Sequence, residues 1–382
     1  MTYGRSRQNR QWFLRAILLL SVFGAGSAGV TAASETVHAH EPPLSSPRVP
    51  SPPVSDDAKH RGVSWVAGDE VTQADLEELA EHSVDWIVQT PFGWQKRIDS
   101  PEIRLATEGR VFWGERDIGL ETTTRLARKQ GIRTLLKPHI WLSGGKWRGD
   151  IEMKSDQDWQ TWFSSYRRFI LHYAQLAEGL NIEALAIGTE LHKTVTKRPE
   201  EWKRLISEIR RVYKGKLTYA ANWYREFEDV PFWASLDYIG IQAYFPLSDQ
   251  MHPTVEALRV GWQRHLPAIR AVQRKSGRPV LFTEVGYRSA PDAAIDPWTW
   301  PDRIARGEAD LVDFETQANA YRAFFETFWD QPWFAGSYIW KWYPGRSPRG
   351  ARQNIDFTPQ GKPALAVLGR WYGKPASVLS AD

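Results

Sequence analysis

Two apolar stretches that end in a glutamate decide the fold of this chain: Ile182-Glu-Ala-Leu-Ala-Ile-Gly-Thr-Glu190 and Pro279-Val-Leu-Phe-Thr-Glu284. Each is short and bounded by polar residues, which is typical of a buried β-strand. Because side chains alternate along a strand, we expect Gly188 to share a face with Glu190, and Phe282 to share one with Glu284. We predict that both faces line the interior of a parallel barrel, with the two carboxylates at its C-terminal mouth.

The rest of the chain alternates between short apolar runs and amphipathic helical patterns. The sequence predicts strands at 62–66, 84–90, 132–139, 182–188, 217–221, 236–243, 280–283 and 337–342. It predicts helices at 72–82, 117–130, 155–178, 199–214, 253–275, 314–329 and 362–372, with a short irregular helix near 225–235. This order predicts an α/β fold, a single-domain (β/α)8 TIM barrel. An open doubly wound sheet needs a glycine-rich phosphate turn after its first strand, which Trp65-Val-Ala-Gly68 does not provide.

The N-terminal segment has the composition of a secretory signal. Residues 1–33 combine four arginines, no acid, an apolar stretch and small residues suited to cleavage. The alternative is an uncleaved anchor, because residues 12–33 could nearly span a bilayer. Residues 34–60 are rich in proline and serine and are predicted to be a disordered linker. We therefore expect an exported protein, periplasmic or secreted, with one domain over 61–375 and a membrane contact only through an uncleaved N-terminus.

Charge and cysteine content exclude several classes of function. The formal net charge of the 382 residues is +4, but without the four N-terminal arginines the 49 Lys and Arg fall to 45, equal to the 45 Asp and Glu. A neutral domain gives no electrostatic reason to expect nucleic-acid binding. The absence of cysteine excludes disulfides, cysteine nucleophiles and thiolate metal sites. The sequence contains no His-Glu-x-x-His helix and no Walker loop, so we expect no metal and no cofactor. We also expect a monomeric protein.

Tryptophan is unusually frequent, with 20 residues in the chain. An indole ring offers a flat apolar face and one N–H donor, which suits the apolar C–H face of a pyranose sugar. Tryptophans within helical patterns are better explained as core residues, whereas those at strand ends and in loops are candidates for carbohydrate binding. Among the latter we expect Trp65, Trp141, Trp340 and Trp342 to contact the substrate, with Trp340 preferred over Trp342 as the floor of the central sugar subsite. Candidates for outer subsites are Trp147, Trp298 and Trp300.

The paired glutamates indicate one kind of chemistry. A single glutamate at a strand end more often forms a salt bridge or caps the next helix. Two carboxylates facing each other across a cleft, however, are the minimal equipment for cleaving a glycosidic bond. Because Glu190 and Glu284 end the predicted strands four and seven, we interpret them as a catalytic pair.

Several motifs resemble known carbohydrate-active enzymes. Gly188-Thr-Glu190-Leu and Phe282-Thr-Glu284-Val-Gly-Tyr287 resemble the strand-four and strand-seven signatures of clan A retaining glycoside hydrolases. Leu136-Lys-Pro-His139-Ile-Trp141, Ile239-Gly-Ile-Gln-Ala-Tyr244-Phe-Pro and Tyr338-Ile-Trp340-Lys-Trp342 resemble glycoside hydrolase family 113 and its TIM-barrel-like relatives. The resemblance covers roughly residues 61–373. Known members of that family act on β-mannans, so the resemblance implies a retaining hydrolase of a β-linked glycan.

The resemblance also implies roles for individual residues. By strand position, Glu190 would be the general acid/base and Glu284 the nucleophile of a double displacement, with carboxyl groups roughly 5–5.5 Å apart. The acid must hold its proton while the nucleophile stays ionised, so the two environments must differ. Tyr244 ends the sixth predicted strand, and its hydroxyl is expected to hydrogen-bond the nucleophile.

Further candidates for sugar contacts follow the third and fifth predicted strands. Lys137, His139 and Trp141 share one face in the extended pattern and could bind sugar hydroxyls, although a neighbouring carboxylate could instead satisfy His139. Asn222 ends the fifth strand and is a candidate hydroxyl ligand. Thr189 stands where clan A enzymes commonly have the asparagine that contacts the sugar 2-hydroxyl. That contact, and with it the identity of the sugar, stays open.

Two other functions are compatible with these patterns. The first is a non-catalytic glycan-binding barrel, which would keep the aromatic cleft but has no need for the glutamate pair. The second is a cell-envelope barrel that acts on peptidoglycan, which the export signal and the TIM-barrel-like relatives suggest. The expected partner in every case is a carbohydrate.

Overall fold

The computed structural model describes residues 59–66, 68–105, 107, 111–300, 312–345 and 355–374. The predicted signal segment 1–33 and the linker 34–60, except for its last two residues, lie outside the described residues. Lys59 and His60 are buried and belong to the barrel, so the domain begins slightly before the predicted boundary at residue 61. In the part of the chain that the structure describes, no helix has the length and apolar character needed to cross a membrane.

The strands and helices alternate along the chain. The strands are β1 (His60–Trp65), β2 (Trp86–Gln89), β3 (Phe92–Gln95), β4 (Ile103–Leu105), β5 (Arg133–Leu136), β6 (His139–Leu142), β7 (Ala184–Thr189), β8 (Lys216–Asn222), β9 (Ile239–Gln242), β10 (Val280–Val285) and β11 (Phe334–Trp342). The α-helices are α1 (Gln73–Glu81), α2 (Asp117–Lys129), α3 (Asp156–Gly179), α4 (His192–Lys197), α5 (Pro199–Val212), α6 (Glu226–Asp229), α7 (Val255–Gln263), α8 (Leu266–Ser276), α9 (Phe314–Phe328) and α10 (Pro363–Tyr372). Three 3-10 turns span Trp113–Glu115, Arg148–Asp150 and Trp233–Ser235.

Eight of these strands close into a parallel barrel, which confirms the predicted (β/α)8 fold. Their order is β1-β2-β5-β7-β8-β9-β10-β11, and β11 pairs back onto β1 with His60 opposite Gly336. The remaining strands form a separate sheet in the order β4-β3-β6. This side sheet was not predicted. Pro138 separates β5 from β6 because it has no N–H to donate to a ladder, so the single predicted strand 132–139 is two strands in different sheets.

The helices begin and end where local chemistry favours it. Ser155 precedes α3 and its hydroxyl accepts a hydrogen bond from the backbone N–H of Asp158, as a helix N-cap does. Pro199 occupies the first turn of α5, where its missing N–H costs nothing. The predicted helix 253–275 is two helices, α7 and α8, because Pro267 would otherwise interrupt the hydrogen bonding of a helix interior. Pro267 instead lies in the first turn of α8.

The buried side chains form two layers, one inside the barrel and one between its strands and the surrounding helices. A small cluster inside the barrel is built from Trp86, Val88, Leu135, Ala184, Ala186, Tyr238, Leu281, Ala335 and Tyr338. A larger cluster lies between the strands and the helices; α5, for example, buries Trp202, Leu205, Ile206 and Ile209 against it. That spacing is the one expected for the buried face of an amphipathic helix.

The predicted side-chain alternation at the two glutamates was wrong, although both carboxylates do reach the mouth. A Cβ atom on Gly188 would meet the side chains of Tyr219 and Trp202, so this position faces the helices. Phe282 likewise packs against Phe328 and belongs to the outer layer. The pairing of β7 is irregular between residues 186 and 189, and that of β10 is irregular between residues 282 and 285. Such irregularities re-aim side chains at strand ends, which strict alternation cannot predict.

Gly336 of β11 lies at the close contact between the first and last strands of the barrel. Its φ is 119°, and a Cβ atom would lie 2.3 Å from both the backbone nitrogen and the oxygen of His60. We expect Gly336→Ala to lower the free energy of unfolding by more than about 2 kcal/mol, because strain and overlap add. Urea denaturation measures this change.

Gly369 provides the matched control. It lies within α10, and a Cβ atom there would have no neighbour within 4 Å. Gly369→Ala should leave stability unchanged or raise it by up to about 1 kcal/mol, because alanine is the better helix former. Equal effects of the two substitutions would contradict the interpretation of Gly336.

Candidate active site

A cavity of about 550 Å³ opens at the C-terminal mouth of the barrel. Its walls contain both glutamates, Glu190 and Glu284, together with several aromatic rings and a few polar side chains. The mouth is where parallel barrels place their active sites, since loops from all eight strands converge there. Both carboxylates are almost fully buried, with 4% and 5% of their surface exposed.

Glu284, near the end of β10, lies between a cation and a phenol. The ammonium of Lys137 donates to its Oε1, and the hydroxyl of Tyr244 donates to its Oε2 over 2.8 Å. Lys137 also contacts Gln242 Oε1 and the backbone oxygen of Thr283, each at 3.3 Å. Both oxygens of Glu284 are therefore held by side-chain donors.

The two partners of Glu284 have opposite tendencies to lose their protons. Burial lowers the pKa of the Lys137 ammonium, whereas the Glu284 carboxylate beside it opposes that shift. Burial raises the pKa of the Tyr244 phenol well above its usual value, and the Glu284 charge adds to the effect. Tyr244 therefore keeps its proton and acts as a donor to the carboxylate.

Lys137 does not lie where the sequence pattern predicted. It was expected to contact a sugar hydroxyl, but its side chain is fully buried and does not line the cavity. It follows the barrel strand β5 and points to Glu284, whereas His139 and Trp141 lie on β6 of the side sheet. Pro138 separates these two environments, so the three residues do not share a face.

Glu190 accepts hydrogen bonds from two neutral donors. The side-chain amide of Asn222 donates to Oε1 over 2.7 Å, and the indole N–H of Trp147 donates to Oε2 over 3.2 Å. The Asn222 amide is oriented by its own oxygen, which accepts from the backbone N–H of Tyr224 over 2.8 Å. Asn222 thus contacts a carboxylate in addition to lining the cavity, and Trp147 holds Glu190 instead of forming an outer wall.

Thr189, the residue before Glu190, is turned away from the cavity. It is 1% exposed, and its hydroxyl is 3.4 Å from the backbone oxygen of Pro138, to which it donates. The structure therefore gives Thr189 no position from which it could replace an asparagine at a sugar 2-hydroxyl.

His139 lines the cavity together with a buried arginine that the sequence analysis did not identify. Arg148 donates from Nη1 to His139 Nδ1 over 2.9 Å. Because a guanidinium can only donate, the imidazole proton must be on Nε2. Burial and the charges of Arg148 and Lys137 lower the pKa of His139 well below its usual value, so the ring is neutral. Its Nε2–H is buried and has no protein partner in the described part of the chain.

Most of the candidate tryptophans line the cavity, whereas Trp342 lies in the core. Trp65, Trp141 and Trp340 line the cavity, as do Trp298 and Trp300. Trp300 meets Trp340 edge-on with ring centroids 6.2 Å apart, and Trp298 stacks on Trp223 at 5.1 Å. Trp342 is a correction to the prediction: it is fully buried in the outer core and does not line the cavity. Strand pairing shifts between Val63 and Trp65 where β1 meets Trp342, which breaks the simple two-residue alternation.

Sequence reasoning missed several charged residues near the cavity, among them Arg148, Glu226 and Glu115. Arg148 lies in a 3-10 turn that no periodic pattern marks, Glu226 begins the short helix α6, and Glu115 lies on another 3-10 turn and lines the cavity. Glu226 is the one with a usable signal, because it follows Asn222 closely at the end of a barrel strand. Among the described residues, no group of three His, Asp or Glu side chains is arranged to hold a metal ion.

Comparison with known proteins identifies the family. Residues 61–362 match glycoside hydrolase family 113. The chain belongs to this family. It is therefore a glycoside hydrolase, and its substrate is a carbohydrate. No curated protein matches the sequence.

Solved structures of family 113 members superpose over most of this family 113 hydrolase. A GH113 β-1,4-mannanase solved as a complex is 26% identical with a TM-score of 0.70, covering 83% of this chain and 100% of its own. The GH113 β-mannanase AaManA from Alicyclobacillus acidocaldarius is 27% identical with a TM-score of 0.71, covering 83% and 98%. A Faecalibacterium prausnitzii β-glucuronidase, 12% identical with a TM-score of 0.54 over 84% of this chain and 49% of its own, shares the fold alone.

The buried pair Lys137–Glu284 predicts a strong energetic coupling. Removing one partner leaves the other charge buried without compensation, which costs about 3–5 kcal/mol. We expect Lys137→Met to destabilise the protein by such an amount, and Lys137→Met combined with Glu284→Gln to cost less than the two single changes together. Urea denaturation of the four proteins measures the coupling; simple additivity would contradict a direct ion pair.

Glu115 predicts a pH dependence of stability. Burial raises its pKa from 4.5 to about 7, while a hydrogen bond from the backbone of Phe112 opposes the shift. Between these values the unfolded chain releases a proton that the folded protein keeps, so stability falls as pH rises from 4.5 to about 7. In Glu115→Gln this contribution is absent, and the melting temperature of the variant should gain on that of the wild type over this range.

The exposed Glu102 supplies the control for this measurement. The melting temperature of Glu102→Gln should differ from that of the wild type by the same amount at every pH in this range. A constant difference between Glu115→Gln and the wild type would show that the buried carboxyl does not titrate as expected.

Proposed function

We propose that the protein is a retaining hydrolase of β-mannan, with Glu284 as nucleophile and Glu190 as general acid/base. The observation that carries this proposal is the contrast between the two carboxylates of one cavity. Glu284 contacts a buried ammonium, whereas Glu190 accepts hydrogen bonds from the neutral N–H groups of Asn222 and Trp147. A double displacement needs such a difference, because one carboxylate must attack while the other must be able to hold a proton.

The first step forms a glycosyl-enzyme. A carboxylate oxygen of Glu284 bonds to the anomeric carbon, the bond from that carbon to the leaving oxygen breaks, and Glu190 gives its proton to this oxygen. In the second step Glu190 takes a proton from water, whose oxygen attacks the anomeric carbon and releases Glu284. The Lys137 ammonium and the Tyr244 hydroxyl stabilise Glu284 whenever it is ionised, and so favour its departure in the second step.

Substrate contacts follow from the cavity walls. The half-buried Trp340 supplies the apolar face on which a pyranose ring would stack, and Trp65 and Trp141 extend the apolar lining. His139 also lines this cavity, with a buried Nε2–H that has no protein partner in the described part of the chain. The choice of β-mannan is supported by the mannanase activity named for the family 113 structures, which resemble this chain over more than four fifths of its length.

We further propose that the protein is exported and acts on glycan outside the cytoplasm. This proposal is supported by the basic and apolar composition of residues 1–33 and by the proline-rich spacer that follows. A polymeric substrate that cannot enter the cell would require such a location.

Active-site variants and product stereochemistry test the mechanism. Glu284→Ala should abolish turnover, and Glu190→Ala should lower kcat on mannan by about 10²–10⁴-fold, the range for loss of a general acid/base. Proton NMR of the first product should show the β-anomer. Azide should rescue Glu190→Ala with a β-glycosyl azide and Glu284→Ala with an α-glycosyl azide, because it replaces the base in one case and the nucleophile in the other.

The same assay separates the alternatives. Mannan, β-glucan, xylan and peptidoglycan are offered in parallel to the full domain. Hydrolysis of peptidoglycan alone would overturn the mannan proposal, and binding without hydrolysis of any polymer would indicate a glycan-binding barrel. An α-anomer as first product, or full activity in either glutamate variant, would overturn the two-glutamate mechanism.

A further inference from the structure

Glu226 is a buried carboxyl close to the cavity that the proposed mechanism does not use. It is the first residue of α6, directly after the loop that leaves β8, and it is fully buried. It does not line the cavity, so it has no access to substrate. Burial raises the pKa of Glu226 to about 8, an effect that hydrogen bonds from Tyr219 and Asn222 oppose. Burying such a group is costly unless its hydrogen bonds are satisfied, which indicates a purpose beyond packing.

Both oxygens of Glu226 accept hydrogen bonds from β8. The hydroxyl of Tyr219 donates to Oε1 over 2.5 Å, and the backbone N–H of Asn222 donates to Oε2 over 2.7 Å. Tyr219 is also fully buried, so neither contact is shared with solvent. Glu226 therefore fixes two points of the strand that precedes it.

Tyr219 and Asn222, the two residues bonded to Glu226, also form hydrogen bonds at or next to Glu190. The backbone N–H of Leu191, the residue after Glu190, donates to the Tyr219 hydroxyl over 2.6 Å. The side chain of Asn222 donates to Glu190 Oε1 over 2.7 Å. One carboxyl thus controls the peptide that follows Glu190 and the amide that binds its side chain.

The backbone at Glu190 needs such support. Its φ is 50°, in the left-handed region that glutamate rarely adopts. A residue held there costs about 1–3 kcal/mol and persists only where its surroundings over-determine it. The pairing of β7 with β8 is irregular just before this residue, and the Glu190 N–H donates to the backbone oxygen of Ala220 over 2.9 Å.

We propose that Glu226 is a positioning residue for Glu190, which holds the acid/base carboxyl at the leaving oxygen without touching the substrate. This inference rests on the role assigned to Glu190 under the proposed function. Glu226 acts along two routes, through Tyr219 to the backbone of Leu191 and through Asn222 to the carboxyl itself. A glutamine can keep the contact with the Asn222 N–H through its oxygen, but its NH2 group would then face Tyr219, whose hydroxyl would have to accept instead of donate.

Substrates with different leaving groups test the proposal. Glu226→Gln should lower kcat/KM on mannan by about 10–100-fold, since proton transfer to a poor leaving group needs an accurately placed acid. A dinitrophenyl β-mannoside has a leaving group that departs without a proton. On this substrate the kcat/KM of Glu226→Gln should stay within about two-fold of the wild-type value. Its kcat and KM should both fall, because the second step is slowed and the glycosyl-enzyme accumulates.

Two further variants keep the test decisive. Glu228→Gln changes an exposed glutamate of the same short helix and should leave kcat/KM unchanged on both substrates. Tyr219→Phe removes only the route to Leu191 and should reproduce the split between substrates more weakly; it carries the test if Glu226→Gln does not fold. Equal losses on both substrates, or no loss on mannan, would overturn the positioning role.

Glu190→Ala, measured beside these variants, separates this inference from the function on which it rests. If Glu190→Ala shows the split between substrates and Glu226→Gln does not, the positioning role is wrong and the proposed function stands. If Glu190→Ala shows no split, the assignment of Glu190 as acid/base fails, whatever Glu226→Gln does.

Discussion

The ion pair between Lys137 and Glu284 is the constraint around which the barrel mouth is arranged. It joins the end of β5 to β10 across the interior, and Lys137 also contacts Gln242 of β9. Neither charge is exposed enough for water to compensate it, so the two must stay in register with each other. The Tyr244 hydroxyl occupies the second oxygen of Glu284. Both oxygens of this carboxyl are therefore held in place, as the proposed nucleophile requires.

The second carboxylate is organised by hydrogen bonds instead of charge. Glu190 has a left-handed backbone conformation, and its side chain is hydrogen-bonded by Asn222 at the end of β8 and by Trp147 just before a 3-10 turn. The buried Glu226 accepts a hydrogen bond from the backbone N–H of Asn222. The two halves of the site therefore differ physically: Glu284 forms a desolvated ion pair, whereas Glu190 accepts hydrogen bonds from neutral N–H groups. The proposed double displacement needs such a difference.

The sequence predicted the barrel well because its evidence was local. Apolar runs and amphipathic helices recur in the order of a (β/α)8 barrel, and residues such as Ser155 and Pro199 mark helix starts directly. Prediction failed where a residue depended on distant ones. Alternation placed Phe282 and Gly188 inside the barrel, but irregular pairing with neighbouring strands turned both toward the helices. The side sheet was missed because its strands are short and pair only after the chain folds.

For the site, the sequence by itself determined which residue types were present at the strand ends: Glu190, Glu284, Tyr244, His139 and Trp340 all line the cavity. The tertiary structure alone decided their partners. It turned Lys137 from a candidate sugar ligand into the counter-ion of Glu284, placed Trp342 in the core, and brought Arg148 and Glu226 into contact with the site. Strand periodicity is encoded within a few neighbouring residues, whereas an ion pair or a buried hydrogen bond joins residues far apart in the chain, whose distance is set only when the barrel closes.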